Sequence, residues 1–364
     1  MIRKKETSMA KRPVKTLPPI IEELDPPSRR NFRNLLQQAG RRPIGLMLGA
    51  GVSVSAGLPD WKELVRRVCE YFLCHWEITP YNRRKKELRS PSNISIALIG
   101  DSFTTQLTSA VTQALLETEP AILAQMIKNC VRPIDWVYLV KRAIYRCNTN
   151  GDLEVDTSKS TLLNSISSLC AQPNAVKGVM NYNFDSLLSE YLSLLNVPHN
   201  IVTILHRKIS KSKINIWHPH GCLPRQGGEN TPLVFTEEEY QAQGAEPYFW
   251  ANIAQLGLLA SGPCVFLGAS MTDANMRRLL WSTTGSVNYN HFAFLSCESR
   301  RTDQQWMCDT LFDDDLRRLN VKVIRFAKQK RSKDPYGKLP KLLAYLTQYL
   351  ISFQTGAIRH EEIA

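Results

Sequence analysis

One segment near the start of the chain constrains its fold more than any other. Residues 44–61 read I-G-L-M-L-G-A-G-V-S-V-S-A-G-L-P-D-W, so a short apolar stretch passes directly into glycine, alanine and serine. This pattern predicts a buried strand ending in a loop whose backbone approaches a ligand closely, with N–H groups free to face an anion. The usual dinucleotide fingerprint needs a glycine three residues after Gly51, where Val54 stands, so this loop is of another kind. A tight turn without a ligand explains one or two glycines, but not seven small residues.

Three later segments also end in polar or small residues where a predicted strand stops. Because ligands of open α/β sheets bind at the carboxyl ends of the strands, we expect these segments to contribute to a binding site. A strand over 176–180 leads to Asn183 and Asp185, and a strand over 214–217 leads to His218 and His220. A strand over 264–267 leads to the turn Gly268-Ala269-Ser270, followed by Asp273 and Asn275, which suits a second phosphate or ribose contact.

Each of these segments, taken alone, also has a structural explanation. The cluster that ends at Asp185 is equally suited to cap a helix over 186–195. His220, which precedes a glycine, is catalytic, a metal ligand or a hydrogen-bonded loop residue, and the residues alone leave the three open. His218 lacks a following glycine and is better explained as structural. Cys222 is better explained as a small buried residue than as a nucleophile.

In combination, the four segments resemble the sirtuin superfamily. Sirtuins carry a G-A-G-x-S loop that runs on to Pro-Asp, an N-x-D pair, a His-Gly pair and a G-(T/A)-S turn, in this order. The resemblance covers about residues 43–328, with a weakly matching stretch over 62–172. The matching residues are Gly49-Ala50-Gly51-Val52-Ser53, Asn183-Phe184-Asp185, His220-Gly221 and Gly268-Ala269-Ser270.

The departures from the sirtuin pattern indicate a zinc-free branch. Protein-deacylating sirtuins insert a zinc ribbon built on two C-x-x-C pairs after the catalytic histidine. The nine cysteines of this chain form no C-x-x-C pair, so we expect no structural zinc and no metal cofactor. Trp61-Lys62 replaces the usual Phe-Arg, and the turn at Gly268 continues as M-T-D-A-N-M-R-R-L-L. Residues 233–240, L-V-F-T-E-E-E-Y, resemble zinc-free bacterial sirtuin-like proteins.

The resemblance to these bacterial proteins implies an activity and a biological role. They act as NAD glycohydrolases in anti-phage defence, where they deplete NAD and arrest the infected cell. The resemblance therefore implies that NAD is the substrate, cleaved to nicotinamide and ADP-ribose. Because an unrestrained enzyme of this kind would kill its host, we expect a trigger. Oligomerisation, or a partner protein such as a HerA-type ATPase ring, is the expected switch.

The chemistry of nicotinamide release gives the matching residues their expected roles. The leaving group is already a cation, so a general acid and paired carboxylates are not required. We expect Asn183 to bond nicotinamide or water, Asp185 to place an anion near the ribose, and His220 to act as the base. Asp60 and Trp61 are expected at the nicotinamide end, although the tryptophan equally well begins the core face of the next helix. The residues expected to hold the diphosphate and adenosine half are Gly49, Ala50, Gly51, Ser53, Gly268 and Ser270.

Three other functions remain open at this point. The first is an NAD-dependent protein deacylase that uses the same histidine on an acyl-lysine peptide. The second is a sirtuin-like ADP-ribosyltransferase. The third belongs to a different class, a sensor or assembly subunit that binds NAD or ADP-ribose without turning it over.

The order of the predicted elements favours an α/β fold. Strands interleaved with helices predict a Rossmann-like, doubly wound and mainly parallel sheet without a zinc ribbon. Periodic apolar positions between 93 and 170 predict a helical insertion, at about 75–172, that roofs the NAD pocket. The predicted strands cover 44–48, 176–180, 201–205, 214–217, 264–267, 291–295 and 321–326. The predicted helices include 27–38, 61–72, 186–195, 275–280 and 339–353, the last with an apolar stripe better explained by core packing than by an interface.

The net charge of +13 is concentrated near the two ends of the chain. Residues 1–42 hold eleven Lys and Arg against four acidic residues, and residues 328–338 hold five against one. A basic tail is usually solvated, but it can also dock a partner or bind nucleic acid weakly. We therefore divide the chain into a basic tail and helix over 1–42, a catalytic domain over 43–330 and a terminal helix and tail over 331–364.

Composition is typical of a cytoplasmic protein. With 364 residues, of which 43% are hydrophobic, the chain can bury one large core. No apolar run approaches the roughly 18 residues that a membrane-spanning helix requires, and the first residues lack the apolar core of a secretory signal. Cysteines without a pairing pattern suit a reducing compartment. Residues 1–19, rich in Pro, Lys and Thr, are expected to be disordered.

Overall fold

A seven-stranded parallel sheet forms the centre of the molecule in the computed structural model. The model describes residues 19–75, 113–145, 160–204, 212–227, 232–328 and 336–357. The strands lie in the order β3-β4-β2-β1-β5-β6-β7, and every neighbouring pair is parallel. Their bounds are β1 (Ile44–Leu48), β2 (Val176–Asn181), β3 (His199–Val202), β4 (Ile214–Trp217), β5 (Cys264–Leu267), β6 (His291–Cys297) and β7 (Val321–Ala327).

Helices connect these strands and cover both faces of the sheet. Before β2, the helices are α1 (Pro19–Glu22), α2 (Pro26–Arg41), α3 (Ala50–Val54), α4 (Trp61–His75), α5 (Pro120–Lys128), α6 (Pro133–Tyr145) and α7 (Thr161–Cys170). After β2, they are α8 (Leu187–Leu194), α9 (Glu237–Ala245), α10 (Trp250–Ala260), α11 (Ala274–Thr283), α12 (Asp303–Arg318) and α13 (Lys338–Gln354).

Alternation along the strands explains the two covered faces. Leu46 and Leu48 of β1 and Val265 of β5 belong to one apolar cluster, which also includes side chains of α2, α7 and α13. Met47 and Phe266, which alternate with them, belong to a second cluster with side chains of α10, α11 and α12. Successive side chains of a strand point to opposite faces, so one apolar run supplies both cores. This arrangement confirms the predicted Rossmann-like α/β fold.

The order of the strands creates a switch point between β1 and β5. From β1 the chain builds β2, β3 and β4 on one side, and then returns to build β5, β6 and β7 on the other. In doubly wound sheets, ligands bind outside the carboxyl ends of the strands at such a point. The loop that begins at Gly49 and the turn that begins at Gly268 follow the two strands that flank it.

Most of the predicted strands agree with the structure to within about two residues, but β3 is an exception. The sequence predicts a strand over 201–205, whereas β3 spans His199–Val202 and lies at the edge of the sheet. The prediction is wrong because β3 begins with two polar, half-buried residues, His199 and Asn200, which hide the strand signal. The terminal helix α13 buries its apolar stripe against the main core, as predicted.

The predicted helical insertion is only partly within the described residues. Helices α5 and α6 pack against α4, whereas α7 packs against α8 and α13 beside the sheet. Of the insertion residues that the structure describes, Ile144 lines the cavity at the switch point. Residues 76–112 and 146–159, and the predicted disorder of residues 1–18, lie outside the described part of the chain. Among the helices of the described residues, none is both long enough and apolar enough to cross a membrane.

The buried histidine of β6 makes the stability of this fold depend on pH. His291 is fully buried, and its Nδ1 accepts a hydrogen bond from the Cys264 N–H at 3.1 Å. Burial, together with the nearby Lys177, lowers the pKa of His291 to about 3. The unfolded chain, with an ordinary pKa near 6.5, therefore binds the proton first, and stability is lost as the pH falls below about 6.5.

We predict that His291→Gln makes the free energy of unfolding less dependent on pH between 6.5 and 4. The glutamine oxygen can accept the Cys264 N–H but cannot be protonated, so up to about 3 kcal/mol of acid-linked loss disappears. Urea unfolding midpoints at several pH values test this. Some acid dependence remains in the variant, because burial also lowers the pKa of His218, to about 4. Parallel curves for the two proteins would contradict the prediction.

Candidate active site

A cavity of about 830 Å³ lies at the carboxyl ends of the central strands. Its wall includes the loop after β1, the loop after β2, the turn after β4 and the turn after β5. Most of the residues that the sequence singles out for the site line it together. They are Gly49, Ala50, Gly51, Ser53, Asp60, Trp61, Asn183, Asp185, His220, Gly268, Ser270 and Asp273. Asn275, also expected to contact a phosphate or ribose, does not line the cavity and instead donates to Asn252.

The two glycine turns of the site pack directly against each other. A Cβ added at Gly49 would lie 2.6 Å from the Gly268 oxygen, and one added at Gly51 would lie 2.8 Å from the Gly268 Cα. Gly268 itself has a φ of +65°, and a Cβ there would lie 2.5 Å from the Val52 nitrogen. Side chains do not fit at such separations, and glycine is the residue that allows this approach. The glycines therefore serve contact between the two turns as well as forming the wall of the cavity.

Several amides of the loop after β1 are used within the protein, and two of them bond to the end of β5 and the turn after it. The Gly49 N–H donates to the Leu267 carbonyl at 2.9 Å, and the Gly51 N–H donates to the Gly268 carbonyl at 2.8 Å. The expectation that the N–H groups of this loop are free to face an anion is therefore wrong for these two amides. Sequence spacing cannot show this, because the partner carbonyls come from a strand far along the chain.

Asp185 is buried and joins the loop after β2 to the loop after β1. Its Oδ2 accepts a hydrogen bond from Ser53 Oγ at 2.6 Å, and its Oδ1 accepts from the Leu187 N–H at 3.1 Å. Burial raises the pKa of this carboxyl, while the two hydrogen bonds act in the opposite direction. Both oxygens thus have partners in the protein, and one of these partners is the first N–H of α8, whose N-cap residue is Ser186. The contact of Asp185 with a ribose stays a prediction.

Asn183 lies between the glycine loop and the histidine turn. Its Nδ2 donates to the Gly49 carbonyl at 3.1 Å, and its own carbonyl oxygen is 2.9 Å from His218 Nδ1. Within the described residues, its Oδ1 makes no hydrogen bond. This oxygen is therefore the atom that Asn183 offers to a ligand, and it accepts hydrogen bonds from an amide, a hydroxyl or water.

The two histidines of the turn after β4 have different surroundings. His218 is buried, and burial lowers its pKa to about 4. His220 is half-buried and lines the cavity, with its Nδ1 3.3 Å from the Tyr182 carbonyl oxygen. A carbonyl only accepts hydrogen bonds, so Nδ1 carries the proton and Nε2 keeps its lone pair. His220 is thus the imidazole that can act as a base, and His218 fits the predicted structural role.

Aromatic rings surround His220. Its ring centroid lies 5.2 Å from that of Tyr240 and 5.6 Å from that of Tyr182. Trp61 both begins α4 and lines the cavity, so its two predicted roles are compatible. The ring centroid of Phe235 lies 4.8 Å from that of Trp61. We call the cavity-lining rings of Trp61, Tyr182, Phe184 and Tyr240 the aromatic wall.

Three other polar residues that line the cavity have local roles that leave atoms free for a ligand. Asp60 Oδ1 accepts from the Glu63 N–H at 2.9 Å at the start of α4. Asp273 Oδ1 accepts from the Met276 N–H at 2.6 Å at the start of α11. The Ser270 hydroxyl lies 2.7 Å from Thr272 Oγ1. These side chains are fixed at helix or turn starts, and each lines the cavity.

The charge of His220 depends on two opposing influences. Burial lowers its pKa, while the nearby Asp273 carboxylate and the hydrogen bond to the Tyr182 carbonyl raise it. Because burial dominates, the imidazole is neutral at neutral pH, which is the form that a base requires.

The sequence does not assign a role to Tyr182 and Tyr240, which together with Phe184 are the rings in contact with His220. A partial signal exists for the second, because Thr236 is followed three residues later by Glu239. Glu239 Oε2 accepts a hydrogen bond from the Thr236 N–H at 2.8 Å, which caps the start of α9. This helix carries Tyr240, which lines the cavity. Across the described ranges, no group of three or more His, Cys, Asp or Glu side chains is placed to hold a metal ion.

Comparison with protein families gives one match. Residues 177–318 match the model of the SIR2-like domain, a segment that covers less than half of the chain and contains Asn183, His220 and the turn after β5. SIR2-like domains are typically enzymes that act on NAD, so the match supports the sirtuin-like resemblance and an NAD-related activity. A search of curated proteins found no significant match.

We predict that Gly268→Ala destabilises the protein more than Gly285→Ala. Both glycines have positive φ, so both substitutions add the backbone cost of about 1–2 kcal/mol. A Cβ at Gly285 meets no atom within 4 Å, whereas a Cβ at Gly268 collides with the loop after β1. The alanine at 268 should therefore lose at least about 1 kcal/mol more in urea unfolding. Equal losses of unfolding free energy in the two variants would show that the two turns can move apart without destabilising the protein.

We also predict that Ser53→Ala lowers the free energy of unfolding by about 1–3 kcal/mol, because it leaves an oxygen of buried Asp185 without its hydrogen bond. Ser282→Ala is the matched control. Its hydroxyl donates to the Arg278 carbonyl at 2.9 Å at an exposed position, where water can replace it. A loss at Ser282 as large as that at Ser53 would argue against a special role for the buried pair.

Proposed function

We propose that this chain is an NAD glycohydrolase, which cleaves the bond between nicotinamide and ribose to give nicotinamide and ADP-ribose. The observation that carries the proposal is the single cavity that holds the glycine turns, Asn183 and His220 together at the switch point of the sheet. Its volume of about 830 Å³ is in the range of about 300–1,000 Å³ that ligand sites occupy.

The lining of the cavity suits a ligand with chemically different parts. We assign the part that contains the aromatic wall and His220 to the nicotinamide and its ribose. We place the diphosphate at the glycine turns. The part lined by Leu295 and Ser296 of β6 is left for the adenosine.

The reaction that we propose needs a base but no general acid. The bond between ribose C1′ and the nicotinamide nitrogen breaks, and its electron pair leaves with nicotinamide, which becomes neutral. A water oxygen forms the new bond to C1′, and its proton passes to Nε2 of His220. The hydrogen bond from Nδ1 to the Tyr182 carbonyl favours the tautomer that can accept this proton.

Asn183, in the loop after β2, supports the same step. Its Nδ2 is held by the Gly49 carbonyl, so the side-chain amide is fixed with Oδ1 left for the ligand. We assign this oxygen to the nicotinamide amide or to the attacking water. A fixed acceptor at this position orients the reacting group, which is the contribution expected of a preorganised site.

The choice of water as acceptor rests on the departures from protein-deacylating sirtuins. The chain has no C-x-x-C pair for a zinc module, and such a module forms one side of the peptide cleft in the deacylases. The resemblance to zinc-free bacterial proteins favours a role in anti-phage defence, in which NAD depletion arrests the cell. Within this proposal, a homo-oligomer or a partner such as a HerA-type ATPase controls the activity.

We predict that His220→Ala and Asn183→Ala each reduce nicotinamide release from NAD by at least about 10²-fold, the lower end of what a placed base supplies. Free nicotinamide measured over time gives the rate, and unfolding curves show whether the variants fold. His199→Ala is the control, because this histidine lies on edge strand β3 and does not line the cavity. Full activity in both cavity variants would contradict our residue assignments.

The same samples separate the other functions. Acyl transfer from an acetylated peptide in step with NAD turnover would show a deacylase, and label transfer from NAD to protein would show an ADP-ribosyltransferase. Tight NAD binding without nicotinamide release, with and without a partner protein, would show a binding subunit.

A further inference from the structure

The proposed reaction places positive charge on His220 as the imidazole takes a proton from water. A carboxylate that faces the imidazole stabilises this charge. The following inference concerns which carboxylate does so, and its catalytic meaning rests on the proposed function. Three carboxylates line the cavity near its reactive end: Asp60, Asp185 and Asp273.

Asp185 is poorly suited to this task. Its two oxygens accept hydrogen bonds from Ser53 and from the Leu187 N–H, so its charge is directed toward the glycine loop and the start of α8. Asp60 caps the start of α4, on the wall formed by the helix that follows the glycine loop. Neither side chain contributes to the shift in the pKa of His220, whereas Asp273 does.

Asp273 is fixed next to the rings that contact His220. Its Oδ1 caps α11, and within the described residues its Oδ2 makes no hydrogen bond. Two residues later, Asn275 donates to Asn252 of α10 at 3.0 Å. One turn along α10, Gln255 accepts the Tyr182 hydroxyl at 2.6 Å. The start of α11 and the Tyr182 ring are therefore both attached to the same stretch of α10.

We propose that Asp273 is a positioning residue, whose free carboxylate oxygen faces His220 across the cavity and stabilises the imidazolium formed when water is deprotonated. Its place as the cap of α11 holds the charge at a constant distance from the imidazole. In this role Asp273 acts on the charge of the His220 imidazole and does not itself bind the ligand.

Several other groups share the surroundings of the imidazole. The hydroxyl groups of Tyr182 and Tyr240 stay protonated, because burial and the Asp273 charge raise their pKa values well above the usual range for tyrosine. His218, two residues away, stays neutral. Of the side chains that line the cavity, Asp273 is the carboxylate that acts on the charge of His220. The remaining titratable groups of this end of the cavity are Asp60, Lys62 and Asp185.

The test is the pKa of His220, measured by NMR titration of the imidazole signals. The signal of His220 is the one that His220→Gln removes. Asp273→Asn keeps the cap of α11, since Asn and Asp cap helices equally well, and removes only the charge. Asp314→Asn is the matched control, because this aspartate pairs with Arg317 on the exposed face of α12 and does not line the cavity.

We expect Asp273→Asn to lower the pKa of His220 by about 0.5–1 unit, the small end of the shift that a nearby opposite charge produces. Asp314→Asn should leave it unchanged. The acid limb of kcat/KM for nicotinamide release should move to lower pH by the same amount. The plateau rate should fall by about 3–10-fold, because the imidazole becomes a weaker base.

An unchanged His220 pKa in Asp273→Asn would overturn the proposal. A lowered pKa with an unmoved acid limb would also overturn it, because the charge would then have no part in the reaction. If the wild type releases no nicotinamide, the glycohydrolase proposal fails, and the NMR titration still decides whether Asp273 faces the imidazole.

Discussion

Close backbone contact between the turns after β1 and β5 is the constraint on which the rest of the site depends. Gly49 and Gly51 meet Gly268 at separations that leave no room for a side chain, and hydrogen bonds between the two turns hold them there. The strands beneath them are neighbours in the sheet, so the contact fixes the floor of the cavity at the switch point. Ligands of doubly wound sheets bind at such a switch point, so this floor lies where a ligand is expected.

A third loop is attached to this floor by two buried polar contacts. Asp185 reaches the glycine loop through Ser53, and Asn183 reaches it through the Gly49 carbonyl. Burying a carboxylate is unfavourable unless its oxygens are satisfied, and here both are. These two contacts fix the position of the loop after β2, and so they hold Asn183 and His220 on connected pieces of backbone. Rings of the aromatic wall pack around the imidazole of His220, and burial lowers its pKa so that it stays neutral.

The sequence predicts well which residues line the cavity and predicts poorly the contacts between them. Buried apolar runs ending in glycine or polar residues reveal the strand ends, since parallel strands are buried on both faces. Edge strand β3 was misplaced because polar, half-exposed residues such as Asn200 give no such signal. The contact partner of Gly51, the hydrogen bonds of Asp185 and the position of Asp273 depend on segments far apart in the chain. Local propensity carries no information about those pairings.

The glycine contact also affects how such a protein can diversify. A side chain at position 49, 51 or 268 would collide with the backbone of the facing turn. A larger residue at any of these positions therefore requires both turns to rearrange. Exposed residues on the rim, such as Ser270 and Asp60, meet no comparable obstacle. Substitutions at the rim can therefore change which substrate is preferred without changing the contact between the two turns. Proteins of this fold with different substrates would then keep the same cavity floor.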